Sequence, residues 1–431
     1  MRGDVTTIVS VRIAFVLNDV GLSGGAIVAL RHASLLSSDF GHDVCVLTVR
    51  GRNQDWVRRE FPGLLVETID SLGNELPRFD VAIATFWDTL FVLERIPSSR
   101  YVWFAQSLED RFYSSDEPIG ALAGAVSEVP IAVITEANWI RDVLLKVNPR
   151  RSVHIARNGI DKELFTHEGR SSPLGGEGLR VLIEGEPKSH TKDVESALRG
   201  ALTAKTPVSI RHITRSGAWS DDPRYSVLTA PLSFQEMADA FRSHDVLIKT
   251  SRVEGMYGPP LEAFHCGCLV VTTPVTGHEE FIVDGVNSLV VGWDDPQAIG
   301  WALDRLNEDQ NLRDRLAKEA LDTARSWPSL HSSTSEFHDA LLACLAAGSS
   351  DTDLALLDSL RALRSLRVPQ LKMHVQHDQA DRSLREQQDH AAMVESERLK
   401  HEQALLSEIE AMKRTISWRV TSPLRWLRRF R

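Results

Sequence analysis

The sequence is short of cysteine. Cys45, Cys266, Cys268 and Cys344 are the only four in 431 residues, and their spacing frames no disulfide scaffold. Thiols this few fit a reducing, cytoplasmic setting better than a stapled secreted fold. Long apolar runs are missing too, and none approaches the ~18 residues of a membrane span. The stretch IVSVRIAFVL is broken by Arg12 and lacks a small-residue cleavage site, so it reads as a strand and not as a signal peptide. Positive charge is in deficit. With 49 Lys+Arg against 59 Asp+Glu, the formal charge of −10 argues against a general nucleic-acid binder. His265-Cys266-Gly267-Cys268 is half of a metal-site pattern, but no second Cys/His pair stands near it, and no metal is expected.

What remains is an ordinary globular composition, 42% apolar and 25% charged, in a chain long enough for two domains and an appendage. Short β-branched runs alternate with helical patterns. Strands are expected at 11–17, 43–49, 79–85, 101–105 and 130–135, with helices near 25–38, 118–128 and 137–147. The alternation restarts with strands at 179–185, 207–214, 245–251, 268–273 and 288–292. β-then-α order implies a parallel sheet covered on both faces. Asn158-Gly159 is turn chemistry between the halves. The fold class expected is therefore α/β, two Rossmann-like doubly wound domains (1–158 and 159–346) facing across a cleft, the usual place for a ligand.

Beyond 346 the character changes. AAGSSDTD begins a small, polar linker with a short helix (347–369), and 370–417 is rich in Gln, His, Glu and Arg. Leu405, Ile409, Met412 and Ile416 follow a 4-3-4 coiled-coil spacing and suggest a homo-oligomer, whereas a solvated single helix fits the sparser seam upstream equally well. A basic amphipathic tail (418–431) closes the chain. From Lys413 onward there are seven Lys or Arg and no acid, interleaved with Trp418, Leu424, Trp426, Leu427 and Phe430. That mixture suits an anionic headgroup interface, although a solvated basic end has the same composition.

The chemistry gathers in SRVEGMYGPPLEAFHCGC (251–268). Asp245 to Ser251 reads as a strand and Pro259 as the start of a helix, because a proline in the first turn loses no hydrogen bond. The orphan amides of that turn and the helix dipole favour an anion. Glu254 before the helix and Glu262 within it are acceptors for vicinal hydroxyls. Hydroxyls beside a diphosphate describe a nucleotide sugar. Taken alone, the two glutamates serve equally well to complement the helix dipole.

The spacing E-x7-E in EGMYGPPLE, followed by AFHCG and a valine-rich strand, resembles the signature of the retaining glycosyltransferases of family four, which have the GT-B fold. TPVTGHEEFIVDGVNSLVV (273–291), the Gly24-Gly25 loop, the NGID linker and the helix around Trp327 are similar to further parts of that family, over about residues 11–346. FAQSLEDRFY (104–113) and IEGEPKSHTKD (183–193) resemble a rhamnosyltransferase-like branch that builds bacterial surface polysaccharides such as O-antigen of the cell envelope. The resemblance implies that Glu262 holds the ribose of the donor and that Glu254 faces its sugar, with the amides of Met256 and Tyr257 nearby. It implies Lys192 on the diphosphate, with Gly25 bringing the N-terminal helix end to the same phosphates from across the cleft, and it places Gly277 among the donor-binding residues. The family's arginine after the strand glycine is replaced by Glu186, so Lys188 is a candidate for the second positive charge, or else a solvated loop lysine. The family's histidine is replaced by Gln106. Gln106, Glu109 and Tyr113 are candidates for sugar or acceptor contacts.

The implied reaction is transfer with retention, without metal or other cofactor, to a lipid-linked glycan acceptor reached peripherally at the inner membrane face. No Asp-x-Asp lies in either domain, and Asp351-Thr352-Asp353 falls in the linker. Two other readings stay open: another GT-B enzyme such as a sugar-nucleotide epimerase, and a non-enzymatic coiled-coil scaffold whose domains have decayed at Glu186 and Gln106.

Overall fold

Runs of apolar, largely β-branched residues form the strands of a computed structural model of the protein. It describes residues 10–51, 54–72, 76–114, 117–170, 174–175, 178–347, 353–365, 387 and 398. The first domain has β1 (Arg12–Leu17), β2 (Asp43–Thr48), β3 (Leu65–Thr68), β4 (Val81–Ala84), β5 (Tyr101–Ala105), β6 (Ala132–Thr135) and β7 (Val153–Ile155). They pair in parallel in the order β3-β2-β1-β4-β5-β6-β7. The second has β8 (Leu179–Glu184), β9 (Val208–Thr214), β10 (Tyr225–Thr229), β11 (Val246–Lys249), β12 (Leu269–Thr272) and β13 (Leu289–Val290), in the order β10-β9-β8-β11-β12-β13. Each order reverses once, between β1 and β4 and between β8 and β11, and the crevice at such a switch point takes the ligand.

Alternation along each strand sends side chains to two cores. Ile13 and Phe15 of β1 face the helices Gly24–Ser38 and Leu330–Ala347, while Ala14 and Val16 face the opposite layer with Trp103, Leu122 and Ile140. In the second sheet Leu182 and Leu247 pack with the Gly258–His265 helix through Leu261 and Phe264, and Val181 and Ile248 pack with Ala197, Leu198 and Leu303.

The structure corrects several expectations in detail. Gly24 and Gly25 are the first turn of a helix capped by Ser23, not a loop. Trp327 lies in the break between the helices Gln310–Ser326 and Leu330–Ala347, its indole bonded to the Asn158 carbonyl at 2.7 Å. The second of these helices, expected in the second domain, crosses back into the first core, where Phe337 stacks on His32 and Phe15. The segment expected as a linker with a short helix docks as well. Residues 353–365 are helical, with Leu356 and Leu360 buried in the first domain and Asp353 paired with Arg100 at 3.0 Å. The coiled-coil seam and the basic tail lie outside the described residues.

Candidate functional site

The second domain brings four charged residues, Lys249, Glu184, Lys192 and Glu254, to the carboxyl ends of its central strands. Lys249 ends β11 fully inside the protein and pairs with Glu184 of β8 at 3.0 Å. Burial works against its charge, but Glu184, Glu254 and Glu262 more than offset this and hold the ammonium above the usual lysine range. Beyond β8, Lys192 Nζ donates to Glu254 Oε1 at 2.7 Å. Its neighbour Asp193 sits in the left-handed region (φ 46°) at the start of the Val194–Leu202 helix and pairs with Arg252 at 2.7 Å.

The Gly258–His265 helix has both prolines in its first turn, one residue earlier than expected from Pro259. The carboxylate of Glu262, on that helix, has no hydrogen-bond partner among the described residues. Burial raises its pKa, with Arg31 of the first domain opposing the shift. A partly buried carboxylate left without a donor is poised to accept one from a ligand. Glu186 is the opposite case. It accepts from Thr214 Oγ1 (3.0 Å), Arg215 N (2.7 Å) and Ser216 Oγ (2.6 Å), which ties it to the turn after β9. Burial disfavours its charge, but the bonds from Ser216, Arg215 and Thr214 prevail and hold the carboxyl below the usual range. Lys188 is exposed, with no partner among the described residues. The Tyr257 ring is core, its hydroxyl donating to the Lys249 carbonyl at 2.9 Å. His265 is core too, bonded to the Ala324 carbonyl at 2.8 Å, and burial raises the Cys266 thiol to about 12.

The first domain closes the cleft with the ends of β1, β5 and β6. A Cβ on Gly25 would lie 3.4 Å from the Gln106 amide, so the first helix starts directly over that side chain. The Gln106 carbonyl reaches across to the second domain, where a Cβ on Gly255 would lie only 1.7 Å from it. Glu109 is buried, and burial, with Asp88 and Glu136 adding to it, pushes its carboxyl well above the usual range. Tyr113 accepts from the Trp87 indole at 3.1 Å. Glu136, just past β6, accepts the Met256 amide at 2.8 Å, so that amide is engaged by the protein. From the other side Glu280 accepts from Asn138 N (2.7 Å), Asn138 Nδ2 (2.7 Å) and Trp139 N (3.2 Å), the start of the Asn138–Val147 helix. The Trp139 indole donates to the Gly255 carbonyl at 2.9 Å.

The structure thus joins Gly25, Gln106, Gly255 and Gly277 in one seam between the domains, and pairs Lys192 with Glu254. It does not bring Lys188 into contact with them. No motif in the sequence singles out Glu136, Trp139 or Lys249, whereas Glu280 is the glutamate of a Gly-x-x-Glu segment that begins at Gly277. The available signal was position, because Glu136 and Lys249 both stand at the carboxyl ends of strands in doubly wound sheets.

Residues 172–309 match the family model described as glycosyl transferases group 1, a segment containing Lys192, Glu254, Glu262 and Gly277. Among curated relatives, D-inositol 3-phosphate glycosyltransferase of Paenarthrobacter aurescens is 26% identical over 198 residues, 41% of this chain and 48% of the relative. The chain spans about half the length of the first curated relatives it matches. Of solved structures, Anabaena HepE in complex with UDP and glucose superposes with a TM-score of 0.62 at 15% identity, covering 77% of this chain and all (100%) of that one. Sucrose-phosphate synthase from Thermosynechococcus elongatus gives 0.61 at 14% identity, covering 78% of this chain and 99% of that one. The chain has the GT-B fold, and its second domain carries the segment shared by the group 1 glycosyltransferases.

Proposed function

We propose that the protein is a retaining, metal-independent glycosyltransferase that takes a sugar from a nucleotide-sugar donor. The observation that carries this reading is the trio Lys192, Glu254 and Glu262, set around a proline-started helix end in the cleft, within the matched segment. Glu262 accepts the donor's ribose hydroxyls and Glu254 the hydroxyls of its sugar. Lys192 then turns from Glu254 to the diphosphate, where charge builds as the glycosidic bond breaks. The acceptor hydroxyl forms the new bond to the anomeric carbon. The old carbon–oxygen bond to phosphate breaks with its electron pair, and the hydroxyl proton passes to the departing diphosphate.

For the acceptor, we read a lipid-linked glycan of a bacterial surface polysaccharide, approached from the first domain past Gln106, Glu109 and Tyr113. The names of the curated relatives favour a second acceptor class, a phosphorylated polyol. The Glu186 departure does not speak for a decayed scaffold, since its carboxylate has a full structural role in the 214–216 turn.

The test is a panel of nucleotide sugars, read first by thermal stabilisation and then by nucleoside diphosphate release with and without chelator. A true donor at ~100 times its dissociation constant adds about 2.7 kcal/mol. Stabilisation by none of the panel, together with no release, would return the scaffold reading. Strict dependence on magnesium or manganese would overturn the assignment of the leaving-group charge to Lys192.

A further inference from the structure

The loop that carries Glu254 is held from the opposite domain by contacts that the donor chemistry does not require. Glu136 takes the Met256 amide on Oε1 and the Asn158 side chain on Oε2, at 2.8 and 2.7 Å. The Trp139 indole takes the Gly255 carbonyl between them. Glu280 returns the favour in the other direction, capping the helix that bears Trp139. Close backbone approach completes the seam. A Cβ on Gly277, whose φ is +90°, would lie 2.3 Å from the Gly255 carbonyl.

We infer that Glu136 and Glu280 form a reciprocal clasp between the domains, in which Glu136 is the positioning residue that sets the Glu254 loop only when the cleft is closed. Neither carboxylate is hydrogen-bonded to Lys192, Glu254 or Glu262. Each instead exchanges its hydrogen bonds across the seam, so opening the cleft releases the Met256 amide and the Asn138–Val147 helix end together. The loop of Glu254 is therefore in its catalytic arrangement only in the closed state.

The clasp also senses protons. The charged or polar groups facing Glu136 are Glu254 on the donor loop, Glu109 on the turn after β5, and Asn158 on the linker. No cation is among them. Burial, with Glu254 adding to it, lifts the Glu136 carboxyl to about 8, against the bonds from Met256 and Asn158. Asn158 suits both forms, because its Oδ1 is buried without a partner and can accept from a protonated Glu136 once the amide flips. With the pKa raised in the closed state, closure is favoured fully below the ordinary carboxylate range. It weakens steadily as the pH rises to about 8.

The inference rests on the transferase reading only for its kinetic arm. The first measurement is hydrogen exchange of residues 254–257 in the full-length protein at pH 6.5 and 8.5, corrected for intrinsic rates. Wild type should exchange faster at the higher pH. Glu136→Ala should lose the protection at both, and Glu136→Gln, a neutral acceptor, should keep it at both. The second is turnover with an identified donor. Glu136→Ala should lower kcat about tenfold with a smaller change in donor KM, and Glu136→Gln should restore kcat and flatten its alkaline decline. Unchanged exchange in Glu136→Ala, or a wild-type pH response persisting in Glu136→Gln, overturns the clasp. Wild type that turns over no donor but shows the expected exchange pattern overturns the transferase reading and leaves the clasp standing.

Discussion

Glu262 and Glu186 make opposite uses of the same side chain, and one experiment separates them. The carboxylate of Glu262 has no donor among the described residues, so Glu262→Ala should leave unfolding by urea nearly unchanged. Its affinity for a nucleoside diphosphate should fall by ~1.5–3 kcal/mol, the worth of hydrogen bonds to a charged acceptor. Glu186→Ala should do the reverse, costing about 1–3 kcal/mol of stability through the lost bonds to Thr214, Arg215 and Ser216 while binding persists. Calorimetry showing equal affinity in folded Glu262→Ala would return that residue to a helix-dipole role. Glu254 and Glu262 are legible in the sequence because both lie on one short segment, where their spacing is visible directly. Glu136 reaches Met256 and Glu280 reaches Asn138 only through the fold, 120 and 142 positions away, so no local pattern announces these contacts. Glu186 misleads for a related reason: its partners sit on the turn after the neighbouring strand, beyond what its own loop can show.

At the scale of elements, the segment between β11 and the Gly258–His265 helix works by being thin. Any side chain at residue 255 must displace the Gln106 carbonyl, which would lie 1.7 Å from its Cβ. Gly255→Ala is therefore expected to push the domains apart while each retains its core. Circular dichroism should be unchanged, and release of nucleoside diphosphate should drop on the order of 100-fold, the usual cost of a 1 Å misplacement at a reacting centre. Activity within about twofold of wild type would show that the close approach is incidental. Most strands are legible in the sequence alone, and those that are not share a place. β3 and β7 are the two edges of the first sheet, and β10 is an edge of the second. Strands inside a parallel sheet are buried on both faces and read as continuous apolar runs such as VAIA and YVWFA. An edge strand is partly exposed, and sequences such as LVET and YSVLT carry too few apolar residues to stand out from a loop. The Phe234–Ser243 helix did carry a signal, since Ser233 and Glu236 form its capping box. The Val194–Leu202 helix did not, because Asp193 precedes it in a left-handed conformation without a side-chain cap.

For the whole molecule, the decisive asymmetry is one of charge. Residues 413–431 hold seven Lys or Arg and no acid, so the other 412 residues carry a formal charge of −17. Among the described residues, no helix is long and apolar enough to cross a membrane. On the proposal of a lipid-linked acceptor, the basic, tryptophan-bearing tail has the composition of a headgroup anchor. Residues 353–365 pack on the first domain, the one proposed to receive the acceptor, with Arg361 and Arg364 on Glu94 at 3.2 and 2.5 Å. An anionic leaflet is worth about 1 kcal/mol per basic residue at its surface, and the rest of the molecule, being acidic, is repelled by it. Full-length protein should therefore co-sediment with vesicles containing anionic lipid, and a chain ending at Met412 should not. Binding should weaken with salt, because the attraction is screened over a Debye length of about 8 Å at physiological ionic strength. Equal sedimentation of both chains, or indifference to anionic lipid and to salt, would show that the tail is no anchor.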